Sequence, residues 1–433
     1  MSGEPARPVD EAPAFSAALK VWARIGLLSF GGPAGQIALM HRELVERRTW
    51  LSERRFLDAL SFSMLLPGPE AMQLATYAGW RLHGVRGGLA AGLLFVLPGA
   101  VVIAVLAALY SVFGAAPAAA ALFFGVKAAV IVIVIEALLK LSRRALKGPW
   151  AWATAGLAFV SIFFFSAPFP LIVAAAAIWG AARGRGDAVD EQEYSAPVRA
   201  GPVAATAALW LGIWLAPLGA LYLFAPDGLL TKIFLFFSWL AIITFGGAYA
   251  VLAYMAQVVV SGFGWLAPGE MMDALGLAET TPGPLILVTE FVAYLAAAKA
   301  GGLWFGLAGA AVALWATFAP CFLWIFTGAP FVERIGTRPR LRAALDGVSA
   351  AVVGVILNLS IWFTLHVFFG AVERREFGPL TLWTPELASF DWRAAALTAL
   401  AGVMLLRLGW GFAPVLGLSA LFGLGLGYLA GAV

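Results

Sequence analysis

Charge is what this sequence has least of. Of its 433 residues, 28 are Lys or Arg and 24 are Asp or Glu, so 12% are charged while 62% are hydrophobic. A soluble domain carries roughly 25% charged residues. With a mean hydropathy of +0.91 the chain cannot cover itself with a wettable surface, and water is excluded as its solvent. The single cysteine, Cys321, excludes an internal disulfide, and with three histidines it makes no dedicated zinc site. No cofactor or metal is expected. The net charge of +4 comes from arginines clustered in short loops between apolar runs. That placement speaks of membrane orientation and excludes a nucleic-acid partner. A Gly-x4-Gly-Lys-Ser/Thr phosphate loop is also missing. Residues 1–14 carry no basic stretch ahead of an apolar core, so no cleaved signal is expected.

What the chain has in abundance is long apolar runs. They fall at about 15–40, 56–80, 87–112, 118–140, 150–165, 168–182, 203–224, 230–260, 271–298, 302–327, 345–369, 393–409 and 411–432. A crossing takes about 20 such residues, so the expectation is an all-α polytopic membrane protein with about 10–13 membrane segments. The lipid bilayer is its first partner. The longest internal polar stretch, 183–202, reads as a linker between two halves.

The halves are copies. Phe30-Gly31-Gly32 recurs as Phe245-Gly246-Gly247, Asp58-Ala59-Leu60 as Asp273-Ala274-Leu275, and Pro67-Gly68-Pro69 as Pro282-Gly283-Pro284, always 215 residues on (245 − 30 = 282 − 67). The ungapped stretch holds 14 identities in 40 positions, where chance gives about three or four. Farther on, Gly87-Gly88 aligns with Gly301-Gly302, and Pro98 with Pro320. The organisation expected is a polar tail at 1–14, a first repeat at 15–182, the linker at 183–202, a linking hydrophobic segment at 203–229, a second repeat at 230–369 and C-terminal membrane segments at 370–433.

Charge then orients the copies. Residues 41–55 include Arg42, Arg47, Arg48, Arg54 and Arg55, whereas 256–270 include no Lys or Arg; 332–342 include Arg334, Arg338, Arg340 and Arg342, whereas 110–120 include none. Basic loops stay cytoplasmic, so equivalent loops of opposite bias belong on opposite faces and the repeats read as inverted. The segment count resists this. With 56–80 read as a re-entrant pair of half-helices, basic at both ends through Arg54, Arg55, Arg81 and Arg86, and with 150–165, 168–182 and 203–224 counted as crossings, both halves start on the same side, so inversion requires one of these middle segments to be re-entrant or one more crossing. Glu43, Glu46 and Glu53 are expected as solvated partners of the arginines.

Each Pro-Gly-Pro interrupts an apolar run, with flanks of about 11 residues or roughly 16 Å of helix, half a bilayer core. Proline removes a backbone donor and glycine permits unusual dihedrals, so the motif ends one helix and begins another. Irregular backbone at membrane depth survives where it is buried in protein or lines a wet cavity. Pro69 and Pro284 suit the first turn of the second half-helix, whose free N–H groups form an anion site without many lysines. Candidate binding residues are Gly31, Gly32, Pro67, Gly68, Pro69, Glu70, Gln73 and Thr76 in the first copy, and Gly246, Gly247, Thr280, Thr281, Pro282, Gly283 and Pro284 in the second. Hydroxyls in spans also commonly bond their own backbone, and the Phe-Gly-Gly pairs most simply allow close helix packing. Lys127 lies inside an apolar run, where a charge is expensive; it either attracts the anion or pairs with Glu136 or Glu70. Asn358 stands at the position equivalent to Glu136 (358 − 136 = 222). Glu70, Glu136 and Glu290 are the carboxylates available for ion coupling, and Glu70 and Glu290 equally read as complements to a helix N-terminus. No catalytic residue is assigned.

These residues together resemble the chromate ion transporter family in its long, two-domain form. The match runs through Phe30-Gly31-Gly32-Pro33, Phe56-Leu57-Asp58-Ala59-Leu60 and Met64-Leu65-Leu66-Pro67-Gly68-Pro69-Glu70-Ala71. In the second half it runs through Phe245-Gly246-Gly247-Ala248-Tyr249, Gly276-Leu277-Ala278-Glu279-Thr280-Thr281-Pro282-Gly283-Pro284 and Pro320-Cys321-Phe322-Leu323-Trp324. Met72 and Glu290 stand where the resemblance implies glutamine. It implies chromate export across the cell inner membrane, with sulfate as the look-alike anion; a homodimer is left open. Two rival readings stand beside it: a membrane-embedded enzyme acting on a lipid-like substrate through Glu70 and His83 or Glu290, and a structural membrane protein.

Overall fold

In a bilayer every backbone polar group must be satisfied within the protein, which leaves the helix as the default for apolar runs of this kind. The computed structural model describes residues 13–30, 32–184, 200–244, 248–329 and 339–429, and these are overwhelmingly helical. In chain order the first half comprises α1 (Phe15–Leu28), α2 (Gly32–His41), α3 (Glu53–Leu65), α4 (Glu70–Phe113), α5 (Pro117–Ala145), α6 (Pro149–Phe165) and α7 (Phe169–Arg183). α8 (Ala200–Phe224) links it to α9 (Leu229–Ile243), α10 (Ala248–Gln257), α11 (Pro268–Thr280), α12 (Val288–Gly328) and α13 (Pro339–Phe368). A hairpin of β1 (Val372–Phe377) and β2 (Leu380–Pro385) follows, then α14 (Trp392–Gly402) and α15 (Phe412–Leu429). Among the described residues six helices are long and apolar enough to cross a membrane. The fold class read from composition, an all-α polytopic membrane protein, is the one observed.

Three features differ from the sequence reading. The runs 15–40 and 230–260 are not continuous: each is divided into two short helices, α1 with α2 and α9 with α10. Gly32, at φ +71°, opens α2 with nothing near the place a side chain would occupy, so it serves backbone reversal rather than close packing. Gly31, Gly246 and Gly247 lie outside the described residues.

The second difference is a reversal inside α4. His83 and Gly84 leave helical geometry, Gly84 at φ +61°, and the arm 85–113 folds back on 70–82: a side chain at Gly79 would strike the carbonyl of Gly87. In α12 the same reversal falls at Gly301 and Gly302, with φ +75° at the latter. Gly84 therefore corresponds to Gly302, and the alignment of Gly87-Gly88 with Gly301-Gly302 is corrected. The offset has grown to 218 (302 − 84 = 288 − 70) because Leu285–Leu287 add a 3₁₀ turn before α12. Thirdly, the hairpin at 372–385 lies within a stretch expected to hold only membrane segments.

Between the halves the helices pack crosswise through small residues. Gly125 of α5 lies against the Ser419 carbonyl of α15, and Gly347 of α13 against the Ala176 carbonyl of α7. Gly180 meets Ala343 just as Gly423 meets Ala121. A side chain at any of these glycines would enter backbone, so close approach of helix to helix is what they secure.

Candidate functional site

The two Pro-Gly-Pro breaks are each held by the opposite half. Gly68 N–H donates to the carbonyl of Thr244, the C-cap of α9, at 2.8 Å; Gly283 N–H donates to the carbonyl of Ser29, the C-cap of α1, also at 2.8 Å. Both glycines have positive φ, +118° and +91°. Gly68 is also roofed by Cys321 Sγ and the Gln73 amide, while Gly283 lies beside Gly99, and Gly99 and Cys321 are themselves equivalent (321 − 99 = 222). Each Pro-Gly-Pro break thus meets the interrupted segment of the other half.

Within this junction Gln73 donates to the Pro67 carbonyl at 2.7 Å, and its Oε1 is buried without a hydrogen-bond partner. Gln36, which the sequence reading passed over, is fully buried and donates to the Gly283 carbonyl at 2.6 Å; its Oε1 is likewise unpartnered. Pro69 and Pro284 are caps, not first-turn residues: Pro69 is the N-cap of α4 and Pro284 that of the 3₁₀ turn. Their extended ψ, 101° and 136°, turns the chain before the helix starts. Pro282 gives its carbonyl to the neighbourhood of Gly99. Glu70 is the first residue of α4, and Glu290 lies in the first turn of α12, 1% exposed with Oε2 unpartnered. Glu290 corresponds to Met72 across the 218-residue offset (290 − 72), so the two departures from the expected glutamines fall at equivalent sites.

The hydroxyls do what hydroxyls in spans commonly do. Thr76 bonds Met72 O, Thr280 bonds Leu277 O, Thr281 bonds Ala278 O, and Thr289 bonds Ile286 O. Asn358 is not among the breaks; it lines a small cavity of about 30 Å³ with Ser166, Gln257, Ser261 and Arg374 beneath the hairpin. Glu136 pairs with Lys140 at 2.5 Å, one turn along its own helix. Lys127 takes neither partner expected of it. It pairs with Asp273 at 3.2 Å, and Tyr110 donates to the same carboxylate at 2.7 Å. Asp273 had entered only as a marker of the repeat; its place in an apolar context was the available signal.

Glu43 is another correction. It is buried, not solvated, and is bonded by both Arg47 and Arg48. Burial pushes its carboxyl up, but Arg48, Arg24 and Arg47 together bring it below the ordinary value. His83 hydrogen-bonds with the Pro13 carbonyl. It stands at the far end of the arm from Glu70, roughly 20 Å away along 13 helical residues, so the two do not converge as an acid–base pair.

A polytopic helical chain whose two halves clasp each other at broken helices has the build of a membrane transporter. The profile of the chromate transporter family matches residues 17–181 and 231–424, and the chain belongs to that family. It is similar to a probable chromate transport protein of Synechococcus elongatus, 32% identical over 334 residues, or 77% of this chain and 80% of the relative. Chromate transport proteins of Pseudomonas aeruginosa and Cupriavidus metallidurans are each 32% identical, covering 77% and 78% of this chain and 77% and 80% of their own lengths. No solved structure matches the chain.

Proposed function

We propose that this chain is a secondary transporter that exports chromate, and with it sulfate as a second tetrahedral dianion, across the inner membrane. The observation that supports the reading is the reciprocal pair of hydrogen bonds, Gly68 to Thr244 and Gly283 to Ser29, which joins the break of each repeat to a helix end of the other. The anion sits there against free N–H groups of the first turn of α4, with Gln36, Gln73 and the Pro-Gly-Pro backbone as its surroundings.

Inversion of the repeats supports alternating access, and the helix count now permits it. The paired short helices α1 with α2, and α3 with the first arm of α4, enter and leave by one face and contribute no crossing. The arm 85–113, α5, α6 and α7 make four crossings, and α8 a fifth, so α9 starts on the face opposite α1. The re-entrant element that parity demanded is the first segment, not a middle one. By the same reasoning the second repeat extends through α14 and α15, which pack on α5 as α6 and α7 pack on α13. The arginines at 42–55 and at the ends of α5 and α7 share one face, which the charge rule makes cytoplasmic.

Energetics favour export. A dianion leaving a negative interior gains about 4.6 kcal/mol at 100 mV, twice the roughly 2.3 kcal/mol per charge. Everted vesicles test this directly: the chain should accumulate radiolabelled chromate under an imposed potential, with sulfate competing. Accumulation no greater than in empty vesicles would sink the proposal.

A further inference from the structure

Asp273 bonds one residue from each of two cavities. One, of about 330 Å³, is lined by Lys127 together with Phe124, Gly269, Met272 and His366. The other, of about 600 Å³, is lined by Tyr110 together with Ser111, Glu270, Leu295 and Lys299. The Asp273 carboxylate holds a residue of each: Oδ1 lies 3.2 Å from Lys127 Nζ, and Oδ2 accepts from the Tyr110 hydroxyl at 2.7 Å. Lys127 and Tyr110 belong to the first half and Asp273 to α11 of the second, so this bridge also ties the two halves together.

Packing does not account for it. Two charges in an apolar segment each carry a desolvation cost, and well-fitted apolar side chains would join the same helices as well. The bridge is also one-sided. The equivalents of Asp273 and Lys127 are Asp58 and Ser349, of which Asp58 is exposed and Ser349 carries no charge. A duplication that kept the pair for cohesion would show it at both ends. Geometry adds that Asp273, 4% exposed, meets Lys127 through Oδ1 as an ion pair and has no other partner at that oxygen. Lys127 Nζ also lies against the first turn of α11, 3.5 Å from the position of a side chain on Gly269. The nearby Glu270 is already engaged by Lys299 at 2.6 Å.

We propose that the Lys127–Asp273–Tyr110 bridge is a gate for the transported oxyanion: Asp273 occupies Lys127 in place of the anion, and a tetrahedral dianion that displaces the carboxylate from Lys127 parts the two halves at this point. The proposal rests on the transport reading above and adds the residues that close one end of the path.

Labelling tests the gate apart from transport. Met272→Cys, in a Cys321→Ser background, places a thiol in the smaller cavity for a membrane-impermeant maleimide. Asp273→Asn should speed labelling about tenfold, the scale of one lost charge-assisted contact. In the parent, chromate or sulfate should speed it too, and Lys127→Gln should abolish that response. The exchanged pair Lys127→Asp with Asp273→Lys retains a bond and should restore slow labelling, which separates gating from misfolding. A parental rate in Asp273→Asn, or indifference of the parent to both anions, overturns the gate. Vesicles that move no chromate would overturn the transport reading instead, and the labelling rates would still report on the gate.

Discussion

The amide of Gly68 is bonded to the carbonyl of Thr244, and 215 residues further on Gly283 is bonded to Ser29 in the same way (283 − 68 = 244 − 29). Each break is completed by the helix end of the other repeat. Four short helices that would otherwise present bare backbone to lipid satisfy one another, which is the condition for irregular backbone at membrane depth.

The glycines of these breaks should therefore resist substitution. At φ +118° Gly68 lies where L-residues are strained, and a Cβ there would come 2.8 Å from the Gln73 amide and 3.1 Å from Cys321. Gly283 at φ +91° would meet Leu287 at 3.0 Å. Such strain costs on the order of 1–3 kcal/mol. Gly68→Ala and Gly283→Ala should each lower the melting temperature in detergent and reduce chromate flux at least about fivefold. Retention of parental flux in both would detach the breaks from function.

Inversion predicts sidedness. Glu46 and Ser261 are equivalent (261 − 46 = 215), and both are exposed. Cys321 is buried against Gly68 and contributes no background. In a Cys321→Ser chain, Glu46→Cys should react with an impermeant thiol reagent from the cytoplasmic face and Ser261→Cys from the other. Labelling of both from one face refutes the inverted arrangement.

Much of this could be read without coordinates, and what escaped has identifiable causes. The Pro-Gly-Pro breaks were visible because proline and glycine carry their backbone demands with them. The Phe-Gly-Gly breaks were not, since Gly32 is as suited to packing as to turning, and only its φ decides. The reversal at His83 and Gly84 was hidden by three added residues, Leu285–Leu287, which shifted the alignment onto the wrong glycine pair. Lys127 announced itself as costly, but its partner lies 146 residues away (273 − 127) on a helix whose position no local pattern encodes. Glu43 was read as solvated because arginines crowd the same stretch; burial of one carboxylate beneath two of them is a tertiary fact.

The carboxylate at the start of α4 should compete with the anion. Glu70 occupies the positive end of that helix, and an acidic group there is stabilised by about 0.3–1 kcal/mol, up to about 2 when partly buried. An incoming dianion must share that end. Glu70→Gln keeps the shape and removes the charge, so KM for chromate should fall about twofold to tenfold. A raised KM would instead mean that the carboxylate carries a coupling cation that the anion needs.

Opposite the junction, the turn between α2 and α3 offers a test by pH. His41 is held by Glu53 at 2.7 Å and by Glu46 at 3.1 Å. The hydrogen bond with Glu53 raises its pKa above 6.5 against the opposing effect of burial, and the charge of Glu53 and the bond and charge of Glu46 add to the rise. A group whose folded pKa is raised stabilises the fold fully below its unfolded value, and that contribution fades as pH climbs through the folded one. Glu53→Gln removes the leading cause. The variant should melt lower than the parent at pH 6, by an amount in keeping with an exposed pair worth under about 1 kcal/mol. The gap should close toward pH 8 and above as His41 loses its proton in both proteins. A difference that is flat across this range, or widens with pH, would show that Glu53 acts on the turn through something other than the histidine's charge.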